Sequence, residues 1–381
     1  MSTVLQAHDT IRESMIYTAG PSFSQKEIEY VTDAMQNCID IRAWAYVFLL
    51  QEKMQRLTGT KLAKATSSCS GALHLIGWGL GIGPGDEVIV PDMTWIASTA
   101  FAVQLGAVPV YVDIEQDTWC ISAEAIERAI TPKTKAIVIV DMYGHPADMD
   151  PILDIARKHS ITVIEDAAPA IGSWYKGKPC GSFGRAGAFS FHGAKAVAAG
   201  EGGAICSNDA SLMERVGRIA EHGRVPGKNL YSNMWGCKYN MSNFQAAIAC
   251  AQIDRLEELL AKKRQNFLWY MEELGNVDGL QWNTERPDCR ANLSTIAVVL
   301  QRNFGIERDR VIEELKAAKI DSRPFFYPTS SLPMVNQNLS EQNPVSYFVA
   351  QNGLNMPNRH DLTREDIAYI AYHFKRILGL S

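Results

Sequence analysis

One lysine stands in a setting unusual for its charge. Lys195 ends the run Ser190-Phe191-His192-Gly193-Ala194-Lys195, in a stretch from Ala186 to Gly200 that is otherwise uncharged apart from His192. A glycine-rich turn, Gly200-Glu201-Gly202-Gly203, follows. Most lysines are solvated. Burial penalises the ammonium form and lowers the pKa, which is what an amine nucleophile aimed at a carbonyl requires. A second signal is Val163-Ile164-Glu165-Asp166-Ala167-Ala168, an apolar run ending in two acids. In open parallel sheets ligands gather beyond the carboxyl ends of strands, where Asp166 is expected. A solvated carboxylate or a helix cap is the commoner role of an isolated Glu-Asp pair, but the two alanines leave room beside it for something flat.

Thr66-Ser67-Ser68-Cys69-Ser70-Gly71-Ala72-Leu73-His74 leads into an apolar helix. Small hydroxyl residues and a glycine at a helix start expose free backbone N–H groups at the positive end of the dipole, a ready phosphate site. A plain serine cap is the ordinary alternative. Asp92-Met93-Thr94-Trp95 follows another strand, and Trp95 offers a face for an aromatic ring. Gly79-x-Gly81-x-Gly83 lacks the spacing and the preceding strand of a dinucleotide fingerprint.

These residues need a sheet to bring them together. From about 65 to 210 the pattern predicts strands at Glu87–Val90, Val108–Ile114, Ala136–Asp141, Thr162–Asp166, Gly187–Phe191 and Gly203–Ser207. Helices are expected at Ser122–Ile130 and Asp148–His159. Alternating strands and helices imply an α/β fold with a mostly parallel sheet covered on both faces. Past Met241 a long helical stretch, Asn243 to Leu274, leads into a smaller C-terminal α/β domain. The expected division is a large domain over 15–250 and a small one over 251–381.

Composition narrows the function. The 381 residues are 46% hydrophobic, enough for a large core. The balance of 37 basic against 42 acidic residues gives a formal net charge of −5, without the basic surplus of a nucleic-acid surface. No apolar run reaches membrane-spanning length, and Met1 to Tyr17 is polar, without the apolar core of a secretory signal. A cytoplasmic location is therefore expected. The eight cysteines, at 38, 69, 120, 180, 206, 237, 250 and 289, form no C-x-x-C pair and suggest reduced, mostly buried thiols and no metal site.

Taken in order, the motifs resemble the DegT/DnrJ/EryC1/StrS family of sugar aminotransferases. The likeness is carried by "GIGPGDEVIVP" (81–91), "TPKTKAIVIVDMYG" (131–144), "VIEDAA" (163–168), "SFHGAK" with "GEGG" (190–203), "YNMSNFQAAIACAQIDRL" (239–256) and "RPFFYP" (323–328). It runs from about residue 20 to the C-terminus. The resemblance implies the fold-type I architecture of pyridoxal 5'-phosphate (PLP) enzymes. It also implies roles: Lys195 as the Schiff-base lysine, and Asp166 on the pyridine nitrogen. Ser190, Ser70 and the Gly71 backbone would hold the phosphate, with Trp95 stacked on the ring. Family members are dimers, and the resemblance places Lys238 against the phosphate of the neighbouring subunit.

Several positions depart from the family pattern. Pro169 stands where many members have Gln, Lys238 where Asn is common, and Ser330 where His is usual. The segment before the first family helix reads Asp40-Ile41-Arg42-Ala43-Trp44-Ala45-Tyr46. The last two changes are expected to bear on substrate. Arg323, Tyr327 and Trp44 are the candidates for the acceptor wall. The implied activity moves an amino group from an amino acid, glutamate, to a nucleotide-linked keto-sugar. "RPFFYP" and "SFHGAK" look most like the branch acting on a GDP-4-keto-6-deoxymannose. A sugar dehydratase of the same family is the nearest rival, but the members with that chemistry carry His at the position of Lys195. A non-catalytic regulatory homologue would have no use for Lys195, Asp166 and Ser190 together.

Overall fold

The computed structural model describes residues 11–302 and 304–380, so the first ten residues of the polar N-terminal segment lie outside it. Seven strands form the large sheet: β1 (Leu62–Thr66), β2 (Glu87–Pro91), β3 (Val108–Val112), β4 (Thr134–Val140), β5 (Thr162–Asp166), β6 (Ala186–Ser190) and β7 (Gly203–Ser207). Their order is β1-β7-β6-β5-β4-β2-β3. All run parallel except β7, which is antiparallel to both its neighbours. β6 and β7 are buried throughout, as are the last five residues of β4, so these strands read as unbroken apolar or small-residue runs instead of alternating.

This arrangement positions the chemistry. Parallel direction puts the carboxyl ends of β1, β2, β5 and β6 at one edge of the sheet, and the reversed β7 begins at that same edge. The segments after Thr66, Pro91, Asp166 and Ser190 therefore converge there, facing the glycines that open β7. Two helices complete the edge. The first, α1 (Cys69–Gly79), follows β1; the second, α2 (Ala97–Gln104), follows β2.

The predicted 243–274 stretch is two helices, α3 (Asn243–Asp254) and α4 (Leu256–Leu274). Ser242 and Gln245 cap α3 reciprocally. The break falls at Arg255, whose guanidinium lies 2.9 Å from Glu27. Leu256 and Leu260 pack with the core beneath β7, while Phe267, Tyr270 and Leu274 join a second core. That second core lies on a four-stranded sheet of β8 (Leu280–Trp282), β9 (Ile296–Leu300), β10 (Arg323–Pro324) and β11 (Gly353–Met356). Its order is β8-β9-β11-β10 and every pairing is antiparallel. Among the described residues no helix is long and apolar enough to cross a membrane.

Candidate active site

Glu165 and Asp166 end β5, and strand alternation sends them to opposite faces. Glu165 is fully buried and accepts the backbone N–H groups of Gly181 and, at 2.9 Å, Phe183. It fastens a loop. Asp166, only 4% exposed, faces the site. Its Oδ2 accepts the Ser98 hydroxyl at 2.7 Å; its Oδ1 accepts the Ala168 N–H at 3.2 Å and lies 3.8 Å from the Cys69 thiol. Burial pushes this carboxyl up, while the Ser98 and Ala168 hydrogen bonds and the Lys195 charge hold it back.

Lys195 sits in the loop above β6. The β6–β7 ladder continues past Ser190 through Phe191 N–H to Gly202 O (2.9 Å) and Gly193 N–H to Gly200 O (3.0 Å). Gly202, at φ +133°, takes a turn that a side-chain-bearing residue would strain. Burial lowers the Lys195 pKa, opposed by the charges of Asp166 and Cys69. Among the described residues its amine has no hydrogen-bond or ion-pair partner. Lys195 is half-buried, and an unpaired amine of lowered basicity beside a buried acid marks a candidate functional site. Ser190, at the end of β6, is buried with its Oγ near the His192 N–H (3.3 Å).

The start of α1 closes the other side. Ser68 is its cap, accepting the Gly71 N–H at 3.0 Å. The predicted cup at Ser70 and Gly71 thus exists as a helix terminus, with the Gly71 N–H already engaged within the chain and Ser70 exposed. Helix geometry leaves the Cys69 and Ser70 N–H groups without an intrahelical acceptor. Gly203 makes the approach possible: a Cβ there would lie 2.6 Å from the Ser68 carbonyl carbon and 2.7 Å from the Cys69 nitrogen. Tyr239 lies alongside, its carbonyl accepting the Ser67 N–H at 2.8 Å.

Trp95 is 61% exposed at the rim, its ring 5.8 Å from Phe326. Phe326 in turn stacks on Tyr143 at 5.9 Å. Asp92 fastens this wall. Its carboxylate accepts the Ser330 N–H (2.8 Å), the Ser330 hydroxyl (2.7 Å) and the Asn343 amide (2.9 Å). Tyr327, next in sequence to Phe326, is exposed. Arg323 is exposed and lies 3.8 Å from Asp321. Trp44 and Lys238 are brought together elsewhere on this surface, with the Lys238 amine 5.9 Å from the Trp44 ring and 3.4 Å from Glu221.

The amine, the acid and the helix terminus together suit an aldehyde-bearing pyridine with a phosphate arm. The DegT/DnrJ/EryC1/StrS aminotransferase family profile matches residues 21–375. The chain belongs to this family. It is 35% identical over 367 residues to the GDP-perosamine synthase of Caulobacter vibrioides, covering 95% of this chain and 98% of that protein. The GDP-perosamine synthase of Escherichia coli O157:H7 is 34% identical, with coverages of 92% and 95%. A Streptococcus pneumoniae protein described as a sugar aminotransferase, Spr1654, in its PLP form, superposes with a TM-score of 0.89 at 26% identity. That match covers 96% of this chain and 99% of that one. This DegT/DnrJ/EryC1/StrS member is a PLP-dependent sugar aminotransferase of mixed α/β fold.

Its departures from the family pattern can be placed. Pro169 offers only its carbonyl, which accepts the Asn292 amide at 2.7 Å. Ser330 was expected to bear on substrate, but it is fully buried with its hydroxyl turned to Asp92, and so lines no acceptor wall. Ser98 and Cys69, both touching Asp166, carried no sequence signal of their own.

Proposed function

We propose that this aminotransferase moves the amino group of glutamate to a nucleotide-linked keto-sugar, a GDP-4-keto-6-deoxyhexose. The observation that carries the reading is the near full-length similarity to two GDP-perosamine synthases, at 34–35% identity, in a chain that retains Lys195 and Asp166. Bound PLP supplies an aldehyde for the amine and a ring that draws electrons from the adjacent carbon. Lys195 is the amine that holds the cofactor and then moves protons at the reacting carbon. Asp166 keeps a proton at the ring nitrogen. Ser190 and Ser70 hold the phosphate with the free N–H groups at the start of α1, where the Gly71 N–H would have to leave Ser68 to join them, and Trp95 covers the ring.

Arg323, Tyr327 and Trp44 form the acceptor wall in this reading. In support, all three are exposed, although Arg323 lies 3.8 Å from Asp321 and Trp44 lies under the Lys238 amine. Lys238 belongs to the neighbouring subunit's phosphate in a homodimer with shared sites. In support, Leu230 and Trp235, on the segment leading to Lys238, are 81% and 88% exposed, and large apolar groups this open are commonly covered by a partner.

The test is the PLP-loaded protein with glutamate and a panel of GDP-, TDP- and UDP-linked keto-sugars, following 2-oxoglutarate and the aminated sugar by mass spectrometry. Turnover with the GDP-linked 4-keto-6-deoxyhexose is expected. Equal reaction of a free, unphosphorylated keto-sugar would remove the nucleotide from the reading. Arg323→Ala should raise KM for the nucleotide-sugar about tenfold or more, the loss of one charged hydrogen bond, and leave the half-reaction with glutamate intact.

A further inference from the structure

Asp166 is held by groups that no family motif singled out. Ser98 is buried in α2, its Oγ 2.7 Å from Asp166 Oδ2 and 3.1 Å from the Thr94 Oγ1. An ionised carboxylate only accepts, so the Ser98 proton points to Asp166. The Ser98 oxygen is then left to accept the Thr94 proton. The two hydroxyls form a directed chain, Thr94 to Ser98 to Asp166, one turn apart on the segment that also presents Trp95. Occupancy of the two carboxylate oxygens is unequal. Oδ1 faces two donors, the Ala168 N–H and the Cys69 thiol, whereas Oδ2 faces Ser98 alone.

We propose that Ser98 is a positioning residue that fixes the Asp166 carboxylate so that Oδ2 keeps one acceptor direction open for the cofactor's ring N–H, with Thr94 orienting the Ser98 hydroxyl. The assignment rests on PLP binding at Lys195 and goes beyond it. Without Ser98, the carboxylate is held only at Oδ1, by the Ala168 N–H and the Cys69 thiol, and loses its shortest donor, one that favours its charged form. Charge development on the ring is then less well supported. The chain also gives both buried hydroxyls, Thr94 just before α2 and Ser98 in its first turn, a hydrogen-bond partner.

The experiment uses the intact PLP-loaded protein and the variants Ser98→Ala, Ser98→Thr and Thr94→Val. The titratable groups facing Asp166 are Lys195 and Cys69, and all variants leave both in place. Three quantities are read: the pH midpoint of the visible absorption band of the bound cofactor, PLP affinity, and the single-turnover rate with glutamate. Ser98→Ala should shift the midpoint by about half a pH unit or more and slow the single turnover about tenfold, with KM for glutamate changed less than about twofold. Ser98→Thr restores the hydroxyl and should stay within about threefold of the parent, while Thr94→Val should give a smaller shift in the same direction. A parental midpoint and rate in Ser98→Ala would overturn the assignment. So would an equal loss in Ser98→Thr, because the hydroxyl would then not be the operative group. If Ser98→Ala does not fold, parental behaviour of Thr94→Val would overturn the directed chain. Failure of the parent protein to bind PLP would instead strike at the cofactor reading itself.

Discussion

Adjacent acids with opposite fates show how much single positions depend on strand geometry. Glu165 and Asp166 are indistinguishable as an acidic pair in the sequence, yet one ties a loop and the other faces Lys195. Asp166 was legible because it ends an apolar run and is followed by two alanines. Ser98 was not, because a serine in a helix shows its role only once the neighbouring strand end lies 2.7 Å away. If Asp166 supports charge on the cofactor ring, Asp166→Asn should retain bound PLP and lose turnover by at least about a hundredfold, roughly 2.7 kcal/mol of barrier. Steady-state rates at saturating donor and acceptor check this, and near-parental turnover would place the acid elsewhere.

Among the elements, the central strands were predicted with bounds close to those observed, since buried parallel strands announce themselves as unbroken apolar runs. β1 was missed: Leu62–Thr66 lies at the sheet edge, is only half-buried over its first three residues, and carries Lys64 in its middle. The reversal of β7 follows from the connection after β6, which spans 191–202 without a helix to carry the chain back across the sheet and folds on itself through the Phe191–Gly202 and Gly193–Gly200 hydrogen bonds. Between β4 and β5 sits a further acid pair. Asp141 is fully buried, with its Oδ2 facing no donor, and lies within 4.8 Å of Glu165 and the Cys180 thiol. The pair is satisfied when Asp141 is protonated and donates to Glu165, and burial with the Glu165 charge pushes Asp141 well above the usual carboxylate range. A raised native pKa means the native state holds a proton that the unfolded chain releases. Stability should therefore fall as pH rises above the ordinary carboxylate range, near 4. Asp141→Asn keeps the donor without the proton, so its urea midpoints between pH 5 and 8 should be flatter than the parent's. An identical slope would show that Asp141 carries no extra proton.

For the whole molecule, we propose that the two units divide close to residue 250, near the end of α3, with α4 serving both cores. The proposed sharing of sites in a homodimer left no mark in the sequence pattern, and the structure contributes only exposed side chains, Leu230 and Trp235, that a partner would cover. Mixing inactive Lys195→Ala chains with impaired Lys238→Ala chains tests it. A mixed dimer keeps one site with both lysines, so full exchange should recover about a quarter of the parental activity. No recovery after verified subunit exchange would confine each site to one chain.

The central claim is that Lys195, and no other amine, carries the cofactor. Burial lowers other lysines too: Lys263 is pushed down to about 7, and Lys64 is also depressed. Depressed basicity alone therefore does not select Lys195; its place beside Asp166 at the strand ends does. Borohydride reduction of the PLP-loaded protein, followed by digestion and mass mapping, reads the answer directly. The pyridoxyl group should appear on the peptide containing Lys195 and vanish in Lys195→Ala. A pyridoxyl group on Lys64, Lys263 or any other lysine of the parent protein would contradict the account.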